Sequence, residues 1–189
     1  DHAYVHPTVS REVEALIESR FGNIKIGFFP ELAPRHVENF VKLAKEGFYN
    51  GLLVHEVVKG LGAHLTLGDP NTKDRTDTSQ YGKGGPDYTL SPEAGRYRLN
   101  HRRGVVTTRL VDNSESGSQF TICIEERIAL DKRTTPFGEV VEGLDVADSI
   151  SKVAVYGSDP TLREALQPNQ RNVPTQDVVV RSISIWKDG

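Results

Sequence analysis

The pair His55-Glu56 combines a histidine with a carboxylate, two side chains that can transfer protons. Apolar residues flank the pair, so its polar groups stand out as candidates for chemistry. Glu56 could transfer protons as a general acid or base, or it could form an ion pair with Arg109. We favour the ion pair. His64 could ligate a metal together with His55, Glu56 or Glu115, but a single exposed histidine is the simpler interpretation.

Other reactive side chains give weaker signals. Asp69, Asp74 and Asp77 are spaced along a Gly- and Thr-rich segment, but the spacing and the closing Glu of a calcium loop are absent. Ser118 lacks the G-x-S-x-G surroundings of a nucleophilic serine, and Cys123 lies in an apolar run that is typical of a buried, inert thiol. The sequence therefore predicts neither a metal site nor a cofactor.

One arginine cluster is conspicuous, because fourteen consecutive residues contain five arginines and no acid. Its members are Arg96, Arg98, Arg102, Arg103 and Arg109. Solvated loop charge would explain such a cluster, and a docking patch for an acidic protein partner is the functional alternative. RNA is disfavoured, because Tyr97 is the one aromatic side chain in the cluster that could stack on a base.

Composition is that of an ordinary single-domain protein, with 189 residues, of which 37% are hydrophobic and 26% charged. One cysteine excludes an internal disulfide framework, and no apolar run approaches the roughly 20 residues of a transmembrane helix. A net charge of −3 gives no general attraction to nucleic acid or to anionic membranes. The chain begins with Asp1 rather than Met, which favours a processed, exported protein without fixing its compartment.

Hydrophobic periodicity separates an N-terminal arm, residues 1–12, from a single domain, residues 13–189. Alternating apolar residues predict a β-hairpin over 13–28, and helical spacing predicts one helix from Pro34 and another over 143–150. The remaining predicted elements are strands at 54–58, 65–67, 104–108, 120–124 and 178–185, and a loop insertion at 157–175. Because strands dominate, a β-barrel or sandwich is favoured.

Several motifs in register resemble the cyclophilin family of peptidyl-prolyl isomerases. The resemblance is carried by Gly117-Ser118-Gln119-Phe120, by Leu130-Asp131, by residues 137–143 and by the helix sequence 37–40. It implies a mainly β fold, an eight-stranded antiparallel β-barrel capped by two α-helices, with a substrate groove on one face. It also implies prolyl isomerase activity.

At the positions that the resemblance assigns to the reaction, the sequence departs from the family. Cyclophilins carry an Arg directly after the active-site histidine, and this chain has Glu56 after His55. An ionised carboxylate only accepts hydrogen bonds, so it cannot donate one to the prolyl nitrogen as a guanidinium does. The family's Ala-Asn pair falls at Arg109-Leu110, and its pocket histidine falls at Thr134.

The resemblance places the substrate-binding positions at Gln119, Phe120, Thr121, Ala129, Leu130, Thr134, Arg109 and Leu110. Thr121 and Ala129 stand where the family has large aromatic residues, and this loss of apolar area weakens the grip on a proline ring. We therefore expect a cyclophilin-like domain that is catalytically weak or inactive. It would bind a protein or peptide partner, within a larger complex or alone. An active isomerase that assists protein folding is the alternative.

Overall fold

The computed structural model describes residues 4–5, 7–93, 98–131 and 133–187. The strands are β1 (Tyr4–Val5), β2 (Ser10–Ser19), β3 (Gly22–Phe28), β4 (Val54–Val58), β5 (His64–Leu67), β6 (Thr89–Leu90), β7 (Arg98–Leu99), β8 (Val105–Val111), β9 (Ser114–Cys123), β10 (Pro136–Glu142) and β11 (Val180–Lys187). The α-helices are α1 (Pro34–Lys45), α2 (Leu144–Ser151), α3 (Pro160–Arg163) and α4 (Pro168–Arg171). A 3-10 turn at Ile128–Leu130 follows β9.

The main sheet runs in the order β11-β2-β3-β10-β8-β9-β5-β4, and the short β6 pairs with β9. These pairs are antiparallel. The two outermost strands meet through their lead-in residues, where Leu53 and Val179 form an antiparallel bridge and Val54 N donates to Val178 O at 2.9 Å. This contact closes the sheet into a barrel, so the predicted mainly β barrel is confirmed.

Turn chemistry fixes the register of the strands that carry the candidate site. Asp112 and Asn113 both have positive φ, at 50° and 63°, and connect β8 to β9 as a tight two-residue hairpin turn. The pairing of β8 with β9 shifts between Thr108 and Leu110. The extra residues, 116–119, are on β9 and lie opposite Arg109 of β8.

The core is built around Phe40 of α1, which packs against other aromatic rings. Its ring centroid lies 5.3 Å from that of Tyr49, 5.2 Å from that of Phe120 and 5.6 Å from that of Phe137. Pro34 occupies the first turn of α1, where its missing N–H costs nothing, and the apolar face of the helix covers the barrel. This core holds the backbone of β9 in place beneath the site.

Two segments differ from the sequence prediction: the start of the domain and the 157–175 insertion. β2 begins at Ser10, so the last residues of the predicted arm belong to the barrel. The 157–175 insertion contains α3 and α4, and Asn169 Nδ2 donates to the carbonyls of Ser79 and Tyr81, each at 2.9 Å. The insertion is therefore fastened to the loop that follows β5. Among the described residues, no helix is long and apolar enough to cross a membrane.

A polar row and an arginine-lined cavity as the candidate functional site

Four adjacent strands, β8, β9, β5 and β4, bring a row of polar side chains together on one face of the barrel, and His64, Thr66 and Thr121 of this row are buried. Glu56 of β4 lies opposite Thr66 of β5, and Thr66 lies opposite Thr121 of β9. Arg109 of β8, opposite the bulged residues of β9, extends to the carboxylate of Glu56. We call Glu56, His64, Thr66, Arg109 and Thr121 the polar row.

Glu56 is the centre of this row, because three side chains donate to its carboxylate. Thr66 Oγ1 donates to Oε1 at 2.7 Å, His64 Nε2 lies 3.0 Å from the same oxygen, and Arg109 Nη2 donates to Oε2 at 3.1 Å. Burial opposes ionisation of Glu56, but His64, Arg109 and Thr66 outweigh it and hold the pKa of Glu56 well below its usual range. The predicted ion pair with Arg109 is therefore confirmed.

His64 is buried, so the prediction of a single exposed histidine is wrong. Its Nδ1 lies 2.9 Å from the carbonyl oxygen of Gly62, and its Nε2 faces Glu56. Each ring nitrogen therefore already has an oxygen of the domain as its hydrogen-bond partner. Neither nitrogen is free to ligate a metal. The part of the chain that the structure describes holds no group of three or more potential ligands suited to a metal ion.

Beside the polar row lies a cavity of about 320 Å³. Five of the predicted substrate-binding residues line it: Arg109, Leu110, Thr121, Leu130 and Thr134. The lining also includes Thr108, Asp112, Asn113, Arg127 and Arg133. Arg127 and Arg133 were not predicted as site residues, because the family resemblance points to Ala129, Leu130 and Thr134 in the segment after β9. Their spacing around the Leu130 turn was the available signal.

The other predicted residues lie outside this cavity. Gln119 is buried and donates from Nε2 to the carbonyl of Gly84 at 2.7 Å, while Phe120 belongs to the aromatic core. Ala129 is exposed at the 3-10 turn. His55 is buried, and burial lowers its pKa, so the ring is neutral. Burial also raises the pKa of Cys123 to about 12, in agreement with the predicted inert thiol.

The predicted arginine patch is partly neutralised within the domain. Arg103 binds Asp148 through two hydrogen bonds of 2.7 Å, and Arg102 Nη2 lies 3.0 Å from Glu139. Arg96 and the side chain of Arg98 lie outside the described residues. Arg127 and Arg133, which line the cavity from the segment after β9, make no carboxylate contact within the described residues.

Known proteins agree with this fold and with the motifs. The family model described as "Cyclophilin type peptidyl-prolyl cis-trans isomerase/CLD" matches residues 14–184. The chain belongs to this family. A peptidyl-prolyl cis-trans isomerase of Helicobacter pylori is 36% identical over 146 residues, which cover 76% of this chain and 83% of that protein. Human peptidyl-prolyl cis-trans isomerase-like 3 is 33% identical over 164 residues, which cover 87% and 90%.

A solved cyclophilin-type isomerase of Cryptosporidium parvum, studied with the dipeptide Ala-Pro, has the same fold. It superposes with a TM-score of 0.73 at 20% sequence identity, over 93% of this cyclophilin and 99% of that chain.

Two further buried histidines of this cyclophilin were not singled out from the sequence. His36 of α1 lies between two carboxylates, with Nδ1 2.5 Å from Glu93 Oε2 and Nε2 3.3 Å from Glu115 Oε1. Burial disfavours the charged ring, but the two glutamates outweigh it and raise the pKa of His36. Both carboxyl pKa values are lowered, because hydrogen bonds from His36 and other donors exceed the cost of burial. The cluster is therefore a cation held between two anions.

His101 has the opposite tendency. Its Nδ1 donates to Asp131 at 2.8 Å, and its Nε2 lies 2.9 Å from the hydroxyl of Thr134 and 3.0 Å from that of Thr107, both of which can donate. Burial lowers the pKa of His101, although Asp131 opposes the shift. The ring is neutral, and it fixes Thr134 at the wall of the cavity.

These shifts predict opposite pH dependences for the two histidines. The pKa of His36 is raised, so its contribution to stability is complete below the unfolded value of about 6.5 and is lost as the pH rises through the folded value. The pKa of His101 is lowered, so its contribution is complete above about pH 6.5 and is lost as the pH falls towards the folded value. Urea unfolding from pH 5 to pH 9 would measure both.

The comparison uses His36→Gln and His101→Gln, each against wild type. The stability lost in His36→Gln is expected to shrink as the pH rises, and the loss in His101→Gln is expected to grow. Slopes of the same sign would contradict the assigned protonation states.

Proposed function

We propose that this cyclophilin domain binds a peptide segment in its groove while catalysing prolyl isomerisation weakly or not at all. It would serve as a binding module, or as an accessory subunit of a larger assembly. The observation that carries the proposal is the state of Glu56, an ionised carboxylate held by His64, Thr66 and Arg109.

The reaction needs a donor where this carboxylate lies. The barrier between cis and trans prolyl bonds is about 18–20 kcal/mol, and twisting the amide gives the prolyl nitrogen lone-pair character. A hydrogen bond to that nitrogen stabilises the twisted transition state, and loss of one such donor costs roughly a hundredfold or more in rate. Glu56 can only accept, and its negative charge would repel the nitrogen lone pair.

The walls of the cavity also differ from an apolar proline pocket. Thr121 contacts the hydroxyl of Thr66 at 3.1 Å, and Thr134 contacts the hydroxyl of Thr107 at 2.7 Å. Ala129, at a position where the family has an aromatic residue, is exposed. Leu110 and Leu130 are the large apolar residues in the lining. A proline ring would therefore gain little burial, whereas a polar peptide segment would find hydroxyl and guanidinium groups.

A second candidate function is retained, because guanidinium groups still reach the groove. Arg109 and Arg127 line the cavity, and Arg127 makes no ion pair with a described residue. One of them could donate to a prolyl nitrogen in place of the missing family arginine. The domain would then be an isomerase with a relocated donor.

Two-dimensional NMR exchange on a short Xaa-Pro peptide separates the two functions. With the protein at catalytic concentration, we expect no exchange cross-peaks beyond those of the free peptide, while the H. pylori isomerase under the same conditions provides the positive control. Acceleration that Arg127→Gln abolishes would support the relocated donor and overturn the non-catalytic proposal. A folded sample, shown by dispersed amide resonances, is required for either conclusion.

A further inference from the structure

We infer that the arginine-lined cavity binds the carboxylate side chain of an acidic peptide, an Asp or Glu close to the docked segment. This inference rests on the proposed function, because it names the chemical class of the peptide. It follows from the charge of the cavity walls, from the lack of counterions among the residues that the structure describes, and from the shape of the site.

The charge balance of the lining is positive. Arg109, Arg127 and Arg133 contribute three cations, and Asp112 contributes one anion. Glu56 offsets Arg109 through its ion pair. The remaining excess belongs to Arg127 and Arg133, which face the same cavity from the two sides of the 3-10 turn.

These two arginines are not neutralised by the domain. Among the residues that the structure describes, neither guanidinium makes a hydrogen bond or an ion pair with a carboxylate. By contrast, Arg102 and Arg103 each have a carboxylate within 3.0 Å.

Arg127 is half-buried, which makes its lack of a counterion costly. Burial lowers the pKa of Arg127 and outweighs the opposing effects of Cys123 and Glu56, and the nearby Arg109 adds a smaller effect in the lowering direction. A cation that is partly removed from water, with no anion to pair with, gains more from a ligand carboxylate than an exposed arginine does. The planar guanidinium can bind that carboxylate through two parallel hydrogen bonds.

The same walls favour a carboxylate over a phosphate. Asp112 lies at the edge of the cavity, and a dianionic phosphate would meet its repulsion more strongly than a single negative charge would. The hydroxyls of Thr121 and Thr134 complete a polar floor beneath the arginines. A concave site of about 320 Å³ accepts one or two side chains of a peptide. It is too small to receive the surface of a folded protein.

The test uses hexapeptides with an acetylated N-terminus and an amidated C-terminus, each containing one proline and no charged group apart from the Glu described next. A single Glu is placed in turn at each of the four positions flanking the proline, and each peptide is paired with its Gln counterpart. Calorimetric titration at low salt is expected to show at least one Glu peptide binding about tenfold more tightly than its Gln partner. Added salt is expected to reduce this difference.

Variants then assign the preference to the cavity. Arg127→Gln and Arg133→Gln are each expected to weaken binding of the Glu peptide about tenfold, so that its advantage over the Gln peptide falls to about twofold or less. The matched control is Arg181→Gln, since Arg181 is exposed on β11 and does not line the cavity. It removes the same charge and is expected to change neither affinity.

The outcomes separate the inference from the function on which it rests. Equal binding of Glu and Gln peptides would overturn the acidic preference while peptide binding stands. Tighter binding of a phosphoserine peptide than of the Glu peptide would overturn the carboxylate assignment. Failure of every peptide to bind at millimolar concentration would overturn both the inference and the proposed peptide binding.

Discussion

Replacing Glu115 by Ala is expected to lower the free energy of unfolding by about 3–5 kcal/mol, the range for breaking a buried ion pair by removal of one partner. Glu115 is buried, contacts His36 and accepts from Thr108 Oγ1 at 2.6 Å and from the backbone N of Thr135 at 2.9 Å. The variant leaves the Thr108 hydroxyl without its acceptor and the backbone N of Thr135 with only the longer contact to Thr108 Oγ1, at 3.3 Å, and it leaves the His36 cation with Glu93 alone. Urea denaturation followed by circular dichroism measures the loss.

The matched control for this prediction is Glu38→Ala. Glu38 lies on α1 close to His36 but is exposed, so its removal is expected to change stability by no more than about 0.5 kcal/mol. If Glu115→Ala lost less than about 1 kcal/mol, the buried cluster would not be the stabilising unit described above.

The second large effect is expected for Glu56→Arg, the change that gives this position the family's residue. The new guanidinium would face Arg109 and His64, which now lie 3.1 Å and 3.0 Å from the carboxylate oxygens. Two like charges 4 Å apart repel by about 4 kcal/mol at the effective dielectric of a protein surface. We therefore expect a loss of about 3 kcal/mol in the free energy of unfolding and no gain in prolyl isomerisation.

Glu56→Gln separates charge from shape in this experiment. It keeps the side-chain volume and one acceptor oxygen, so a loss of roughly 1–2 kcal/mol is expected. NMR exchange on the Xaa-Pro peptide reports activity for both variants. A tenfold acceleration in Glu56→Arg would mean that the rest of the groove is competent, and the non-catalytic proposal would then have to be abandoned.

The strands and helices could be predicted from the sequence because the residues that determine each element lie within or next to that element. Period-two alternation on both sides of Gly22 gave the first hairpin, and Pro34 with its apolar stripe gave α1. The predicted strand 104–108 ends short of the observed β8, which continues to Val111 because Asp112-Asn113 forms the turn.

The candidate site was predictable where residue type alone determines chemistry. A carboxylate among apolar strands needs a cation, and Glu56 has one in Arg109. The prediction for His64 failed because the residues after β4 turn back, so that the carbonyl of Gly62 meets its ring.

The other buried histidines depend on contacts between distant parts of the chain. His36 lies 57 residues from Glu93 and 79 from Glu115, so no local spacing indicates that they meet. Arg127 and Arg133 face one cavity only because a 3-10 turn reverses the chain between them.

The closing contact of the barrel has a consequence for how the chain reaches its native state. β11, the last strand, pairs with β2, and its lead-in residue Val179 bridges Leu53 ahead of β4. Until β11 is made and docks, both β2 and β4 present open edges, which are templates for intermolecular pairing. Pairing across such sequence separations is slow. Folding of this domain on a nascent chain therefore waits for β11, and the interval before β11 docks is when chaperone protection against aggregation matters most.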